Sequence, residues 1–285
     1  MSRIGLGTVQ FGIDYGISNT AGQVPGSEVS AILAVAHESG IRVLDTAASY
    51  GTAEEALGRA MRPADHFDIV TKTLPLSQGL QEVESRARRS LEYLGRKPAD
   101  ALLVHAAQDL VSPDGPRLWK LLQRLRDEGL FKRIGISAYV ADKPIELARR
   151  YRPDLMQVPF SILDQRLKQN GELASLKELG IEIHVRSIFL QGLLLMDPKK
   201  LPPDLTHAGP ALAATHARIA QAELTKIAAA VGFVLAQKEV DFAIVGVTSR
   251  AELSEIVTAS VADLGELDGS ACAIDDPLTL TPSHW

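Results

Sequence analysis

The chain has 285 residues, of which 46% are hydrophobic and 23% are charged. This balance is typical of a globular protein and excludes collagen-like, coiled-coil and intrinsically disordered chains. The net charge is −5, which argues against nucleic acid as a partner. The single cysteine, Cys272, cannot form an internal disulfide and favours a reducing compartment, so the expected location is the cytoplasm. The N-terminal residues lack a signal-peptide core, and no apolar run reaches the length of about 18 residues that a membrane span needs.

Eight short apolar runs recur along the chain, and each ends in small or polar residues. Runs rich in Val, Ile and Leu without strict alternation are typical of strands that are buried on both faces of a parallel sheet. In chain order the predicted strands are Arg3–Thr8, Arg42–Thr46, Phe67–Lys72, Ala101–His105, Arg133–Ser137, Leu155–Pro159, Ile181–Arg186 and Phe242–Val247.

Helical patterns separate these strands. Residues Val29, Ile32, Leu33 and Ala36 follow the i, i+3, i+4, i+7 spacing of an amphipathic helix. Two further stripes have similar helical spacing: Val83, Ala87, Leu91 and Leu94, and Leu118, Leu121, Leu122 and Leu125. Glycines that stand just after helical stretches are predicted to be left-handed C-caps: Gly40, Gly95, Gly129 and Gly180.

Eight strand–helix units in a chain of this length predict a closed (β/α)₈ barrel that forms a single domain over residues 1–285. The stretch without a strand after Arg186 contains a proline-rich segment, which predicts a flexible loop at about residues 187–210, followed by helices. The polar tail at about residues 265–285 lacks periodicity and is expected to lie over one end of the barrel.

Polar residues stand at the carboxyl ends of six predicted strands. In barrels of this type those ends converge on the active site, where neighbouring charges alter one another's protonation. A single polar strand end could equally serve the loop backbone, but six together favour a functional site. The six residues are Asp45, Lys72, His105, Ser137, Gln157 and Arg186.

Two motifs resemble those of the aldo-keto reductase family, and the resemblance extends over nearly the whole chain. The opening GLGTVQFG is similar to the family's first strand and turn. The segment DTAASYGTAEEALG, from Asp45 to Gly58, resembles the signature D-T-A-x-x-Y-G-x-x-E-x-x-L-G. Lys72 and His105 then fall at the family's two other catalytic positions, so the resemblance implies a catalytic tetrad of Asp45, Tyr50, Lys72 and His105.

Carbonyl reduction gives each member of this tetrad a chemical role. Hydride must reach the carbonyl carbon and a proton must reach its oxygen, so a general acid has to stand within roughly 3 Å of that oxygen. The resemblance makes Tyr50 this acid, with the Lys72 ammonium stabilising its anion and Asp45 keeping Lys72 charged. His105 would hydrogen-bond the substrate oxygen and orient the carbonyl.

The same resemblance implies a nicotinamide dinucleotide that lies extended across the strand ends, without a Rossmann glycine fingerprint. The first turn contributes Gly7 and Thr8, and Ser137 and Gln157 match positions that hold the nicotinamide carboxamide. The segment VGVTSRAELSEI resembles the phosphate-binding loop and helix start. There Gly246, Thr248, Ser249 and Arg250 are the candidate residues, with Arg250 placed to meet a 2′-phosphate, so NADPH is expected and NAD remains open.

Several positions depart from the family pattern. Val9 replaces a common tryptophan, which leaves Phe11 and Tyr15 as the nearby aromatic candidates. Ala138 and Ile256 each stand where asparagine is usual. Arg186 replaces the aromatic ring that stacks on nicotinamide, although a guanidinium can also stack on a planar ring.

The sequence thus predicts NADPH-dependent reduction of a small polar aldehyde, ketone or sugar, since few aromatic residues are available for an apolar substrate cage. Two alternatives stay open: a nucleotide-binding regulatory subunit, as in members that resemble potassium-channel β subunits, and a lyase that uses Lys72 as a Schiff-base nucleophile. No histidine pair has metal-ligand spacing, and the histidines other than His105, His284 among them, are expected to be structural or solvated. The oligomeric state is open.

Overall fold

The computed structural model describes residues 2–281 and 285, so His284 and part of the polar tail lie outside the described residues. Eight parallel strands form a closed barrel in which each strand pairs with its neighbours in chain order and the last pairs with the first. This confirms the predicted single-domain (β/α)₈ barrel. The strands are β1 Ile4–Gly7, β2 Val43–Asp45, β3 Asp68–Lys72, β4 Ala99–Val104, β5 Phe131–Ser137, β6 Leu155–Pro159, β7 Glu182–Arg186 and β8 Phe242–Gly246.

Helices surround the barrel on its outside. Across the described residues the α-helices are α1 Gly26–Glu38, α2 Ala53–Ala60, α3 Leu80–Leu94, α4 Gln108–Val111, α5 Gly115–Asp127, α6 Pro144–Tyr151, α7 Arg166–Gln169, α8 Glu172–Glu178, α9 Gly209–Gln221, α10 Lys226–Leu235 and α11 Arg250–Ala259. The apolar stripes predicted for α1, α3 and α5 are all buried in the main core. The four predicted C-cap glycines all have positive φ, from 60° to 76°. None of these helices, within residues 2–281, is both long and apolar enough to cross a bilayer.

A second, smaller apolar cluster fills the barrel interior. It contains Val43, Val70, Ala101, Leu103, Leu155 and Ile244. Neighbouring strand residues such as Leu44, Ile69 and Leu102 belong to the main core instead, because successive side chains of a strand point to opposite faces. This identifies the inward-facing positions of β2, β3, β4, β6 and β8.

The chain between β7 and α9 folds into 3₁₀ turns at Leu190–Leu195 and Pro203–Ala208, and its flexibility stays a prediction. The described part of the tail packs against the loop that follows β6. The Ile274 amide donates to the Leu163 carbonyl at 2.9 Å, and the Gln165 side chain donates to the Gly269 carbonyl at 2.7 Å. The tail therefore packs beside this loop, and its predicted position over one end of the barrel stays a prediction.

Candidate active site

The inward-facing pattern of the strands continues into the polar strand ends. Asp45 lies two residues beyond Val43, Lys72 two beyond Val70, and Gln157 two beyond Leu155. His105 and Gly246 have the same spacing from Leu103 and Ile244. Because alternate residues of a strand share one face, these residues form the last inward layer at the carboxyl end of the barrel.

A buried ion pair lies at the base of this layer. The Lys72 ammonium donates to both carboxylate oxygens of Asp45, at 2.8 and 2.7 Å, and to the Thr46 carbonyl at 2.9 Å. The Gln157 amide nitrogen donates to the same carboxylate at 2.7 Å. Lys72 is 1% exposed and Asp45 4% exposed, so this pair is desolvated and fully hydrogen-bonded.

Tyr50 lies directly over the ammonium of this pair, with Lys72 Nζ 5.1 Å from the centre of its ring. Burial disfavours the charged form of Lys72, but the Asp45 carboxylate and the neighbouring Tyr50 outweigh it and raise the pKa of the amine. Lys72 is therefore a fixed positive charge beneath Tyr50.

Two glycines determine where the Tyr50 backbone lies. A Cβ added at Gly12 would stand 1.7 Å from the Tyr50 carbonyl oxygen, and one at Gly51 would stand 2.4 Å from the Gly12 carbonyl oxygen. Gly51 also has a φ of 54°, in the left-handed region that favours glycine. The loop after β1 and the loop that holds Tyr50 can approach this closely only because neither glycine has a side chain.

A second ion pair holds the helix that follows Tyr50. Glu54, which is 1% exposed, accepts a hydrogen bond from the Thr71 hydroxyl at 2.6 Å and pairs with Arg86 at 2.6 Å. Arg86 also donates to the Ala48 carbonyl at 3.1 Å. The glutamate of the signature motif thus connects α2, β3 and α3. Through Arg86 and the Ala48 carbonyl it also helps to hold the loop that contains Tyr50.

His105 completes the cluster of predicted catalytic residues. Its ring makes an edge contact with the Tyr50 ring at 5.6 Å between centres, and its Nδ1 lies 3.0 Å from the Ser49 hydroxyl oxygen. Burial, together with the positive charges of Lys72 and Arg186, lowers the pKa of His105 to about 3. The ring is therefore neutral at physiological pH.

One cavity of about 670 Å³ opens above this cluster and extends toward α11. Lys72 lies behind Asp45 and is not part of the cavity wall, and neither are Ser249 and Arg250. The predicted site residues that line the cavity are Gly7, Thr8, Asp45, Tyr50, His105, Ser137, Gln157, Arg186, Gly246 and Thr248.

The wall of the cavity between β1 and β8 fits an extended polar ligand. A Cβ at Gly246 would lie 2.8 Å from the Gln10 side chain, so only glycine fits here without moving Gln10, and the backbone of residue 246 stays exposed to the cavity. The Gln10 Oε1 atom is buried beside it and has no hydrogen-bond partner among the described residues. Gln157 uses its amide nitrogen on Asp45, which leaves its carbonyl oxygen to accept a hydrogen bond from a carboxamide. These groups fit the nicotinamide dinucleotide that the sequence predicts.

Two carboxylates bond to the backbone at the predicted phosphate-binding segment. Glu252 accepts hydrogen bonds from the Thr248 amide at 2.7 Å and the Thr248 hydroxyl at 2.9 Å. Glu28, from α1, accepts a hydrogen bond from the Arg250 amide at 2.7 Å. Ser249 caps α11 by accepting from the Glu252 amide. The Thr248 and Arg250 N–H groups are thus bonded to acidic side chains, while the Arg250 side chain is exposed.

Several residues that sequence reasoning did not single out contribute to the cavity or its support. Ser49 contacts His105, Gln10 lines the β1 side, and Tyr139 lies under Arg186, whose guanidinium carbon is 4.1 Å from the Tyr139 ring centre. The aromatic candidates after β1 separate: Phe11 is fully buried, whereas Tyr15 lines the cavity. Ser49 and Gln10 lie inside the two quoted motifs, which were the local signals that could have identified them, whereas Tyr139 had none.

The described part of the chain contains no cluster of three or more His, Cys, Asp and Glu residues that could hold a metal ion. His184 is fully buried within β7 and contacts Glu182 at 2.7 Å. This position agrees with the structural role predicted for it.

Comparison with known families finds one match over almost the whole chain. The family model described as the Aldo/keto reductase family matches residues 3–272.

Individual relatives are more distant. An aldo-keto reductase of Mycolicibacterium smegmatis is 33% identical over 125 residues, which is 42% of this chain and only 44% of the length of that relative. The L-galactose dehydrogenase of Arabidopsis thaliana is 27% identical over 91% of this chain and 84% of its own length. Among solved structures, the holo form of an aldo-keto reductase from Bacillus halodurans superimposes with a TM-score of 0.75 at 20% identity, over 95% of this chain and 90% of that one. At this identity the structural likeness shows a shared fold.

Proposed function

The chain belongs to the aldo/keto reductase family, and from this premise we propose that it is an oxidoreductase that reduces a small polar aldehyde, ketone or sugar with a nicotinamide dinucleotide. The observation that carries the proposal is the Asp45–Lys72 ion pair buried directly beneath Tyr50 and His105 at the base of a large cavity. These four side chains include an acid, a fixed charge and a neutral hydrogen-bonding ring.

Tyr50 is the proton donor in this proposal. The nicotinamide ring would supply hydride to the carbonyl carbon when the cofactor is bound. As negative charge develops on the carbonyl oxygen, the Tyr50 hydroxyl transfers its proton there, and the Lys72 ammonium stabilises the tyrosinate that remains. Asp45, to which Gln157 donates a hydrogen bond, keeps the ammonium charged and in place throughout.

His105 orients the carbonyl in the same step. Its pKa of about 3 keeps the ring neutral, so it does not compete with Tyr50 as the acid. When the Ser49 hydroxyl donates to Nδ1, the ring proton resides on Nε2 and is available to the substrate oxygen. A neutral donor fixes the direction of hydride attack without adding charge to the site.

Cofactor choice depends on the start of α11. The proposal keeps NADPH as the expected cofactor, since Arg250 can form charge-assisted hydrogen bonds with a 2′-phosphate. Glu28 and Glu252 oppose this preference, because their carboxylates would have to give up their bonds to the helix N–H groups. We expect the balance between Arg250 and these two acids to determine the ratio of NADPH to NADH affinity.

Hydrogen-bonding side chains in the cavity and one relative support the substrate class. The cavity is lined by polar side chains such as Ser137 and Gln157, beside apolar ones such as Ile188 and Phe189. L-galactose dehydrogenase acts on a sugar by its name, and this relative aligns with 91% of the chain. Both support a small polar carbonyl compound.

The structure disfavours the Schiff-base alternative. A nucleophilic lysine must be neutral and must reach the substrate. Lys72 is 1% exposed, donates three hydrogen bonds and has a raised pKa, so it meets neither condition. A regulatory nucleotide-binding role would not require turnover, so the activity assay distinguishes this role from carbonyl reduction.

The test compares Tyr50→Phe with wild type on a panel of aldehydes, ketones and sugars, by following the absorbance of NADH or NADPH. Tyr50→Phe should lower turnover by about 100-fold or more while dinucleotide affinity stays close to wild type, because only the proton donor is lost. Tyr93→Phe, the same change on α3 outside the cavity, is the matched control. Turnover by Tyr50→Phe at the wild-type rate would refute the mechanism, and tight dinucleotide binding without turnover of any substrate would favour the regulatory role.

A further inference from the structure

The cavity contains one cation whose charge the protein does not neutralise. The Arg186 guanidinium lies at the end of β7 and lines the cavity beside Tyr50 and His105. Its recorded hydrogen bond is to the hydroxyl of the adjacent Ser187, at 3.3 Å. Within residues 2–281 and 285, no carboxylate lies within ion-pair distance of it.

Lys72 differs from Arg186 in that a carboxylate neutralises its charge. Lys72, the other cation of the site, is neutralised by both oxygens of Asp45. The acidic residues that line the cavity besides Asp45 are Glu252 and Glu255, and both belong to α11, near the opposite end. The uncompensated charge next to the catalytic cluster is therefore positive.

The guanidinium also packs on an aromatic ring. Its carbon lies 4.1 Å from the centre of the Tyr139 ring, and its N–H groups can still donate hydrogen bonds to a ligand. Arg186 is close enough to the catalytic cluster to act on the protonation of both His105 and Tyr15. A fixed planar fork at this position matches the geometry of a carboxylate or phosphate.

The backbone that follows Arg186 is strained as well. Ser187, Leu190 and Gln191 all have positive φ, at 63°, 46° and 53°. Such conformations are costly for residues other than glycine and are concentrated at functional sites. A Cβ on Gly192, the next residue, would stand 1.9 Å from the Ser18 hydroxyl, so the loop is pressed against the loop after β1. The segment after Arg186 is thus held in a strained conformation by its packing beside the cavity.

We propose that Arg186 binds an anionic group of the substrate, so that the physiological substrate is an aldehyde or ketone that also carries a carboxylate or a phosphate. This inference rests on the proposed carbonyl reduction and narrows its substrate class. The anion is held beside Tyr50 and His105, which places the carbonyl a short distance away from it. An aldehyde acid or a phosphorylated sugar of a few carbons carries both groups.

The experiment compares matched aldehydes that differ in charge. One pair is 4-carboxybenzaldehyde and methyl 4-formylbenzoate, and the second is D-glyceraldehyde 3-phosphate and D-glyceraldehyde. In each pair the ratio of kcat/KM values for the charged and neutral compound is measured, so that any loss of cofactor affinity cancels. The larger of the two ratios identifies the anion as carboxylate or phosphate.

We expect wild type to favour the charged member of at least one pair by about 10- to 100-fold, mainly through KM. Arg186→Gln should reduce that ratio to about one, and Arg186→Lys should keep part of it, since it retains the charge but loses the fork. Arg117→Gln, which removes an exposed arginine of α5, should leave the ratio unchanged. A wild-type ratio near one in both pairs, or a ratio that survives Arg186→Gln, overturns the proposal.

A binding measurement separates this proposal from the proposed function. Calorimetry of 4-(hydroxymethyl)benzoate and of glycerol phosphate, the alcohols of the two charged aldehydes, with wild type and Arg186→Gln, each with bound reduced dinucleotide, does not require turnover. Weaker binding of at least one of these anions to Arg186→Gln supports the anion site. If no aldehyde is reduced at the same time, only the reductase function is refuted. Equal binding of both anions by the two proteins overturns the proposal, and an Arg186→Gln defect confined to dinucleotide affinity overturns it by assigning Arg186 to the cofactor.

Discussion

The Asp45–Lys72 pair should be as important for folding as for turnover, and Lys72→Met tests this. The substitution removes three hydrogen bonds and leaves the Asp45 carboxylate, which is 4% exposed, with Gln157 as its remaining side-chain donor. Removing one partner of a buried ion pair typically costs about 3 to 5 kcal/mol, because the remaining charge stays desolvated. Lys72→Met should therefore be markedly less stable than wild type.

The expected loss converts to a change in melting temperature. For a chain of this length the entropy of unfolding makes each kcal/mol worth about 2 °C, so Lys72→Met should lower Tm by about 6 to 10 °C. The double variant Asp45→Asn/Lys72→Met removes both charges and should recover a large part of this loss without recovering activity.

Calorimetry and urea unfolding monitored by circular dichroism provide the assay. Arg117→Met is the matched control: it breaks an ion pair with Asp114 whose two side chains are 70% and 54% exposed, and such pairs contribute little. A Tm for Lys72→Met within about 2 °C of wild type would contradict the reasoning. So would a double variant no more stable than the single one, since the cost would then not arise from a stranded carboxylate.

Three further outcomes follow from the geometry. Gly12→Ala should destabilise the protein by several kcal/mol and lower turnover, because its Cβ would meet the Tyr50 carbonyl oxygen at 1.7 Å. Gly26→Ala, whose Cβ would have no atom within 4 Å, should be near neutral, and equal Tm values for the two variants would contradict this prediction. The pKa of His105 is about 3 in the folded protein and near 6.5 in the unfolded chain. Below pH 6.5 the unfolded chain therefore binds a proton that the folded ring does not bind, so the free energy of unfolding falls as the pH falls, by at most about 1.4 kcal/mol per pH unit. Denaturant titrations at pH 7 and 5 should show a smaller loss for His105→Asn, and parallel losses would count against a neutral buried ring. Glu28→Gln should raise the NADPH-to-NADH affinity ratio about 3- to 5-fold in fluorescence titrations, because it removes a screened negative charge from the predicted phosphate site. Arg250→Ala should lower this ratio, and a ratio that neither substitution changes would place the phosphate elsewhere.

The amino-acid sequence was enough to predict the barrel and the layer of residues that lines its mouth. The strand runs and the spacing of inward positions are local properties, and the closed barrel contains all eight predicted strands. Once parallel strands are arranged in chain order, alternation alone brings Asp45, His105 and Gln157 to one face, although they are far apart in the chain. The signature motif then adds Tyr50, because the loop that holds it follows β2 directly.

Contacts between distant elements were decided only by the tertiary structure. Glu28 meets the Arg250 amide across 222 positions, and the Gln157 amide reaches Asp45 across 112. The stacking of Arg186 on Tyr139 likewise depends on where two loops run after β7 and β5. A residue type and its spacing indicate which face of a strand a side chain occupies, but not which partner it meets after the barrel closes. Those partners determine the free charge beside Tyr50 and the acids at the phosphate end, because charge–charge interactions depend on distance and burial rather than on position in the chain.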